Sequence, residues 1–172
     1  MVTTSAGCGW TEGPHPDLIT LEEARALPGP APYWVGESFE GLPLKAVVGP
    51  TLPLEVDYGE CEYEPNEEEG WGCDSPLGIE TKPISEESGL SWPEDPCRQV
   101  TVRGVAGAFF GTGLDAHLEL YTGDQTITIF ADAPGRVLRA AEALRSVDAD
   151  RATTEDLPPP TIDVEPVLAR CF

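Results

Sequence analysis

The chain has 172 residues, of which 10 are basic and 31 are acidic, and its formal net charge is −21. Proteins that bind nucleic acid need a cationic surface to displace counterions, so this charge excludes that class of function and disfavours direct binding to an anionic membrane surface. The length suits one domain with tails, and 18 glycines and 18 prolines predict many turns rather than a helical bundle.

Residues 1–19 are predicted to be a polar tether. Within it, Ser5-Ala6-Gly7-Cys8 places small residues directly before a cysteine. This box resembles the end of the signal peptide of bacterial lipoproteins, in which the cysteine is lipidated and becomes the mature N-terminus. The resemblance implies a lipid anchor at Cys8 and attachment to a membrane through it. Ser5 departs from the usual leucine, and no basic or apolar region precedes the box. We therefore expect the start codon to lie further upstream, or the printed sequence to begin near the mature end.

A single domain is predicted over residues 20–147, and it begins with a short helix. Thr20-Leu21-Glu22-Glu23 fits a capping box, and the helix is expected to end at Leu27, before a Pro-Gly-Pro sequence. Short strands are expected at 44–48, 54–58 and 77–81. The prolines and glycines between them favour edge strands or bulges.

Residues 59–96 are predicted to form an acidic loop region. Between positions 55 and 95 there are 14 acidic residues and a single lysine. Carboxylate oxygens are the ligands that Ca²⁺ prefers, so one loop cluster is a candidate calcium site, with a solvated loop as the simpler interpretation. Tryptophans on loops often contact partners, so two of them are a candidate binding surface, with packing over the core as the alternative. The candidate calcium ligands are Glu67, Glu68, Glu69 and Asp74, and the candidate surface tryptophans are Trp71 and Trp92.

The clearest pattern in the sequence runs from residue 99 to residue 147. Valines at alternate positions, with a bulge expected at Gly104, begin a strand, and two more alternating strands follow near residues 118–121 and 125–130. They predict a three-stranded antiparallel meander with one buried face. A helix capped by Asp132 is expected to run to about Ser146 and to lie across that face. The predicted fold class is α+β: this meander, the short N-terminal strands, one helix packed on the sheet and a short N-terminal helix.

The end of the chain is predicted to be fixed by a disulfide. Residues 148–161 are a Pro-rich linker in extended polyproline form, and residues 162–172 are a segment docked by the disulfide. If Cys8 carries lipid, four cysteines remain, and they permit three pairings. Locality favours Cys61–Cys73 and Cys97–Cys171. Disulfides would place the protein outside the cytoplasm, and reduced thiols in a cytosolic protein are the alternative.

The sequence contains no catalytic constellation that stands out. Nucleophilic catalysis needs a base beside Ser or Cys, and His15 lies in the tether while His117 is expected to be structural. The strand at 101–105 with the following hairpin and helix looks like the small sheet-plus-helix domains of exported bacterial lipoproteins. Tyr33-Trp34-Val35-Gly36 resembles uncharacterised actinobacterial lipoproteins. Neither resemblance implies a catalytic residue.

These patterns together predict a non-enzymatic extracytoplasmic domain with a binding or structural role. We expect a monomer, attached to the cell envelope or secreted, that uses no cofactor and has a cationic or protein partner. The alternative is a small exported hydrolase that uses paired carboxylates, the one abundant chemical resource of the chain.

Overall fold

The structure, a computed structural model, describes residues 17–29, 31–49, 53–60, 64–66, 70–72, 75–84, 96–113, 116–149 and 155–171. Among them, no helix combines the length and the apolar character needed to cross a bilayer. In chain order, the elements are α1 (Leu21–Ala26), β1 (Tyr33–Trp34), β2 (Ser38–Phe39), β3 (Leu42–Val48), β4 (Leu54–Tyr58), β5 (Glu64–Asn66), β6 (Gly70–Gly72), β7 (Leu77–Pro83), β8 (Cys97–Val102), β9 (Val105–Phe110), β10 (His117–Thr122), β11 (Gln125–Ala131), α2 (Pro134–Ala143), β12 (Arg145–Ser146) and α3 (Glu165–Leu168).

Eight strands form one antiparallel sheet in the order β2-β3-β4-β7-β11-β10-β9-β8. The predicted α+β class with an antiparallel sheet is confirmed, but the predicted three-stranded meander was wrong, because the sheet has eight strands and residues 97–110 form two of them. The N-terminal strands do not border a separate meander, because β7 pairs with β4 on one side and with β11 on the other. The region expected to be loop also contains a small two-stranded sheet, β5-β6.

A hairpin at Arg103-Gly104 accounts for the edge strand that the sequence reading missed. The sequence predicted a bulge at Gly104 within one strand. In the structure Arg103 and Gly104 have φ values of 46° and 81°, and Val102 pairs with Val105. Two residues with positive φ between paired strands make a type I′ turn, so β8 and β9 are separate strands. The Arg103 guanidinium donates to the carbonyl oxygens of Leu144 and Glu155, which fixes this turn in place.

The apolar core lies on one face of the sheet, which we call the helix face because α2 packs on it. Strand residues such as Val56, Ile79, Leu118 and Ile129 are fully buried there. Their alternation with polar residues sends every second side chain to this face. The predicted packing of the helix across the sheet is present: Val137, Ala140 and Ala141 are its buried residues.

Both ends of α2 differ from the sequence prediction. The helix ends at Ala143, because Leu144 is extended and Arg145 and Ser146 pair with β1 as strand β12. Its N-cap is Ala133 and not Asp132. The carboxylate of Asp132 pairs instead with Arg136, one helical turn into α2.

The opposite face, which we call the clip face, is buried as well, so the prediction of a single buried face was wrong. Thr126 and Thr128 on this face are only 3% and 1% exposed. Over β8, β9 and β10 it is covered by the C-terminal segment, whose Val164 and Leu168 pack against Phe110. Upstream of α3, the chain passes along the hairpin turns and hydrogen-bonds to their backbone, as in Leu157 N to Arg103 O and Thr161 N to Gly123 O.

Candidate functional site

Strand β8 lies at one edge of the described sheet, so one side of its backbone has no neighbouring strand there. Val102 and Val105 flank the turn as a hydrogen-bonded pair, and the bonding alternates along the ladder. The N–H and C=O groups of Cys97, Gln99 and Thr101 therefore point away from β9. Within the described part of the chain, these groups have no backbone hydrogen-bond partner. The opposite edge, β2, is only two residues long, so β8 offers by far the longer free edge.

A groove of about 540 Å³ runs between this edge and helix α2. Its lining combines Val100, Val102 and Leu138 with the charged residues Arg98, Arg139 and Glu142. Val100 and Leu138 are only half-buried, although both pack against the apolar core. The core of the helix face is thus left partly uncovered along one edge of the sheet.

The charges around the groove are not all neutralised within the protein. The Arg98 guanidinium lies 4.5 Å from the centroid of the Phe109 ring, and the ion pairs among the described residues do not include it. Arg139 is bound to Glu40, which also accepts from Arg136. The hydrogen bond from Arg139, followed by that from Arg136, lowers the pKa of the Glu40 carboxyl to about 2, so Glu40 stays charged and holds Arg139. Arg98 is left as a cation that can pair with a carboxylate of a partner.

On the reverse side, strand β8 is tied to the C-terminus. Cys97, its first residue, forms a disulfide with Cys171, and the side-chain amide of Gln99 donates to the Leu168 carbonyl at 2.8 Å. The pairing Cys97–Cys171 is the one expected from the sequence. These two links hold β8 from the clip face and leave its outer edge open.

The clip face carries buried carboxylates, which are the residues a hydrolase would need. Cross-strand pairing places Glu55, Glu80, Thr128 and Glu119 in one row across four strands. The Tyr121 hydroxyl donates to Glu119 at 2.8 Å, and burial, reinforced by the Glu119 charge, raises the pKa of Tyr121. No group of three or more His, Cys, Asp or Glu side chains that could hold a metal ion occurs in the described ranges.

Two further polar side chains of this face also have clear structural partners. Asp57 accepts a hydrogen bond from Ser75 at 2.7 Å. His117 stacks on Phe110 with 4.6 Å between the ring centroids. In these contacts the two side chains stabilise the protein interior, as was expected for His117.

Most of the residues predicted as sites from the sequence lie outside the described residues. The backbone of Trp71 belongs to β6, but its side chain is not among the described parts. The lipid anchor, the Cys61–Cys73 disulfide, the calcium site and the tryptophan surface therefore stay predictions. The residues outside the described ranges are Cys8, Cys61, Cys73, Glu67, Glu68, Glu69, Asp74 and Trp92.

Sequence reasoning missed the groove. Arg98 and Val100 were visible only as members of a β pattern, and Leu138 only as a residue of an amphipathic helix. A short run of β-branched residues gives no indication of whether a strand lies at an edge. The signal that could have found the site is the dipeptide Arg103-Gly104, because a tight turn there separates β8 from β9.

No protein-family model matches the chain, and neither a curated protein nor a solved structure is similar to it. The functional argument consequently rests on geometry and charge.

Proposed function

We propose that this protein is a non-enzymatic binding domain that takes up an extended segment of a partner protein as an additional strand beside β8. The observation that carries the proposal is the row of outward backbone groups at Cys97, Gln99 and Thr101 next to an apolar groove. In strand addition, main-chain hydrogen bonds supply affinity, and pockets for alternate side chains supply specificity.

Among the described residues, strand β8 shows few of the usual protections of an edge strand. Proteins blunt such edges with proline, bulges, charged side chains or a covering loop, because an open edge is a template for pairing. β8 reads Cys-Arg-Gln-Val-Thr-Val, has Arg98 as its one charged residue and pairs with β9 without a bulge. An edge of this kind, with the half-buried Val100 on it, suits the addition of a further strand.

The chemistry of the groove defines the partner segment. The side chains that the partner segment places on the helix face would lie against Val100 and Leu138. We therefore expect the segment to carry apolar residues at alternate positions. A carboxylate next to them would meet Arg98, which has no ion-pair partner among the described residues. The expected segment is extended, has apolar side chains at alternate positions and carries an acidic residue opposite Arg98. An acidic residue of the segment can pair with Arg98 even though the net charge of the chain is −21.

We place this binding domain outside the cytoplasm. The disulfide Cys97–Cys171 supports this location, because structural disulfides persist in oxidising compartments. A lipid on Cys8 would hold the domain at the cell envelope, with residues 9–19 as its tether.

The alternative of a carboxylate hydrolase gains no specific support from the described geometry. Glycoside hydrolysis needs two carboxyl groups on either side of a substrate cleft. The groove beside β8 is lined by one carboxylate, Glu142. Glu119 and Asp57 are each 1% exposed, within the sheet.

Substitution of Thr101 tests the proposal directly. Thr101→Pro removes an outward N–H without breaking a bond of the β8-β9 ladder, and Thr101→Ser is the matched control that keeps the N–H. The probe is a panel of synthetic peptides of about ten residues, with apolar residues at alternate positions and with or without an Asp. Fluorescence polarisation measures their binding. We expect the acidic peptides to bind the native protein and the control, and the proline variant to bind about tenfold more weakly or worse. Absence of binding by every peptide, or equal binding by the proline variant, would overturn strand addition at β8.

A further inference from the structure

A second depression, of about 420 Å³, lies where β1 and β12 pair. We call it the arginine pocket. Trp34 and Arg145 are directly opposed in that pairing, and Arg25 comes from α1. The pocket is lined mainly by polar atoms, and its lining includes Arg25, Trp34, Gly36, Glu37, Ser38 and Arg145.

Among the described residues, no carboxylate forms an ion pair with Arg145. Its guanidinium lies 4.8 Å from the Trp34 ring centroid, and its Nε is buried. Nowhere in the described ranges does this guanidinium find a hydrogen-bond acceptor or a carboxylate. Stacking on an aromatic face keeps the charge and the planar fork of the guanidinium free for an external acceptor.

Trp34 supplies a second donor without an acceptor. The side chain is only 4% exposed, and its Nε1 has no hydrogen-bond partner among the described atoms. Buried polar groups are nearly always bonded, and an exception calls for an unseen water, ion or ligand. Trp34 and Arg145 line the same pocket, so two donors without an acceptor belong to one site.

The residues around this pair are arranged to hold Arg145 in position. A Cβ atom on Gly36 would lie 2.5 Å from Nη2 of Arg145, so only glycine lets the guanidinium approach the backbone so closely. Gly36 also has φ of +104°, a conformation that favours glycine. Arg25 is anchored through its Nε, which donates to the Val147 carbonyl at 2.9 Å. Trp34, Val35 and Gly36 thus form one wall of the pocket.

The charge balance of the arginine pocket favours an anion. Arg25 and Arg145 bring two positive charges, and Glu37 brings one exposed negative charge. Tyr58, whose hydroxyl accepts from the Val35 N–H, stays neutral, because burial raises its pKa to about 12. A single negative charge matches this balance better than a dianion would.

We propose that the arginine pocket binds a small carboxylate, which accepts from the Arg145 guanidinium and the Trp34 indole N–H, with Arg25 as the second cation. A planar carboxylate matches the fork of a guanidinium. A volume of about 420 Å³ accommodates a small molecule. The proposal concerns a different surface from the β8 edge and does not depend on strand addition.

The indole N–H of Trp34 gives a specific test. In a ¹H–¹⁵N correlation spectrum, Trp34→Phe identifies its signal among those of the 4 tryptophans. The full chain is titrated separately with acetate, benzoate, inorganic phosphate and, at equal ionic strength, chloride. We expect a saturable shift of the Trp34 signal with the two carboxylates and none with chloride.

Two variants and a matched control complete the test. Arg25→Gln removes an exposed cation together with its hydrogen bond to the Val147 carbonyl, and a thermal melt checks that the variant is folded. Arg145→Lys keeps the charge while removing the planar guanidinium. Each is expected to weaken carboxylate binding by about tenfold, since a charge-assisted hydrogen bond is lost. Arg170→Gln changes the net charge as Arg25→Gln does, but away from the pocket, and is expected to have no effect. A response to phosphate alone, a response equal to that of chloride, or equal weakening by Arg170→Gln would overturn the proposal.

Discussion

Alternate residues of β10 and β11 point to opposite faces of the sheet, and the two faces bury very different chemistry. Both sets are buried to nearly the same extent, so exposure does not distinguish them. From the central residues of these strands, 118–121 and 126–129, the helix face receives only aliphatic side chains, whereas the clip face receives carboxyl, phenol and hydroxyl groups. The first set is Leu118, Leu120, Ile127 and Ile129, and the second is Glu119, Tyr121, Thr126 and Thr128.

This difference separates two ways of stabilising one sheet. Apolar burial is non-directional and contributes about 1.5–3 kcal/mol for each large side chain. Buried polar groups lower stability unless they are hydrogen-bonded, so the clip face depends on specific partners. It also has a covalent link, because Cys97–Cys171 fastens α3 over it. We expect the helix face to respond to lost volume and the clip face to lost connections.

The largest expected effect comes from removing the disulfide. The double variant Cys97→Ala/Cys171→Ala opens a link between residues 74 positions apart. For a loop of that length, the chain-entropy model gives a loss of about 4 kcal/mol in the free energy of unfolding. Urea denaturation measures this loss, and amide exchange should show α3 losing protection before α2 does. A change below about 0.5 kcal/mol would contradict the view that the clip face depends on the link.

Loss of volume on the helix face is expected to have the next largest effect. Ile129→Ala removes a fully buried side chain between β10 and β7, where its neighbours Leu118 and Ile79 are also fully buried. Such a substitution leaves a cavity and costs about 3 kcal/mol. Leu18→Ala is the control, because Leu18 is 58% exposed, and its effect should stay within about 0.5 kcal/mol. If the two variants lowered the free energy of unfolding equally in urea denaturation, the assignment of the core to the helix face would be contradicted.

The sequence indicated much of the helix face, because its signals are local. The capping box at Thr20 is present with both of its hydrogen bonds, and the apolar stripe of α2 packs on the sheet. The alternation in β11 correctly predicted which residues share a face. It failed to predict that the threonine face is buried, because threonine in a strand can lie on a buried face or on a solvent-exposed one.

The remainder depended on contacts between distant parts of the chain. Arg103 has positive φ in a turn that its side chain ties to the Leu144 and Glu155 carbonyls, and a local pattern shows neither partner. Arg145 lies in strand β12 and not in α2, and its strand partner is Trp34, more than a hundred residues earlier in the chain. Both candidate sites depend on these two arginines, one through the β8 edge and one through the arginine pocket. Sequence reading therefore found the elements and missed the sites.

The smallest expected effect tests the polar connection within the clip face. Tyr121→Phe removes the hydroxyl that donates to the buried Glu119. It should cost about 2 kcal/mol near neutral pH, because Glu119 loses one donor while it stays buried. In the double variant with Glu119→Gln, the cost should be smaller than the sum of the two single effects, since the pair acts as one unit.

The pH dependence of Tyr121→Phe provides the sharper measurement. Burial and the Glu119 charge raise the pKa of Tyr121 above that of the unfolded chain. The stability this group contributes is therefore complete below the unfolded pKa of about 10 and is lost as the pH rises above it, by about 1.4 kcal/mol per pH unit. The phenylalanine variant lacks this loss, so the gap between the two proteins in urea denaturation should narrow above pH 10. A gap that stays constant with pH would mean that Tyr121 ionises as readily in the folded protein as in the unfolded chain. The clip face would then be no less hydrated than the protein surface, and the contrast between the two faces would fail.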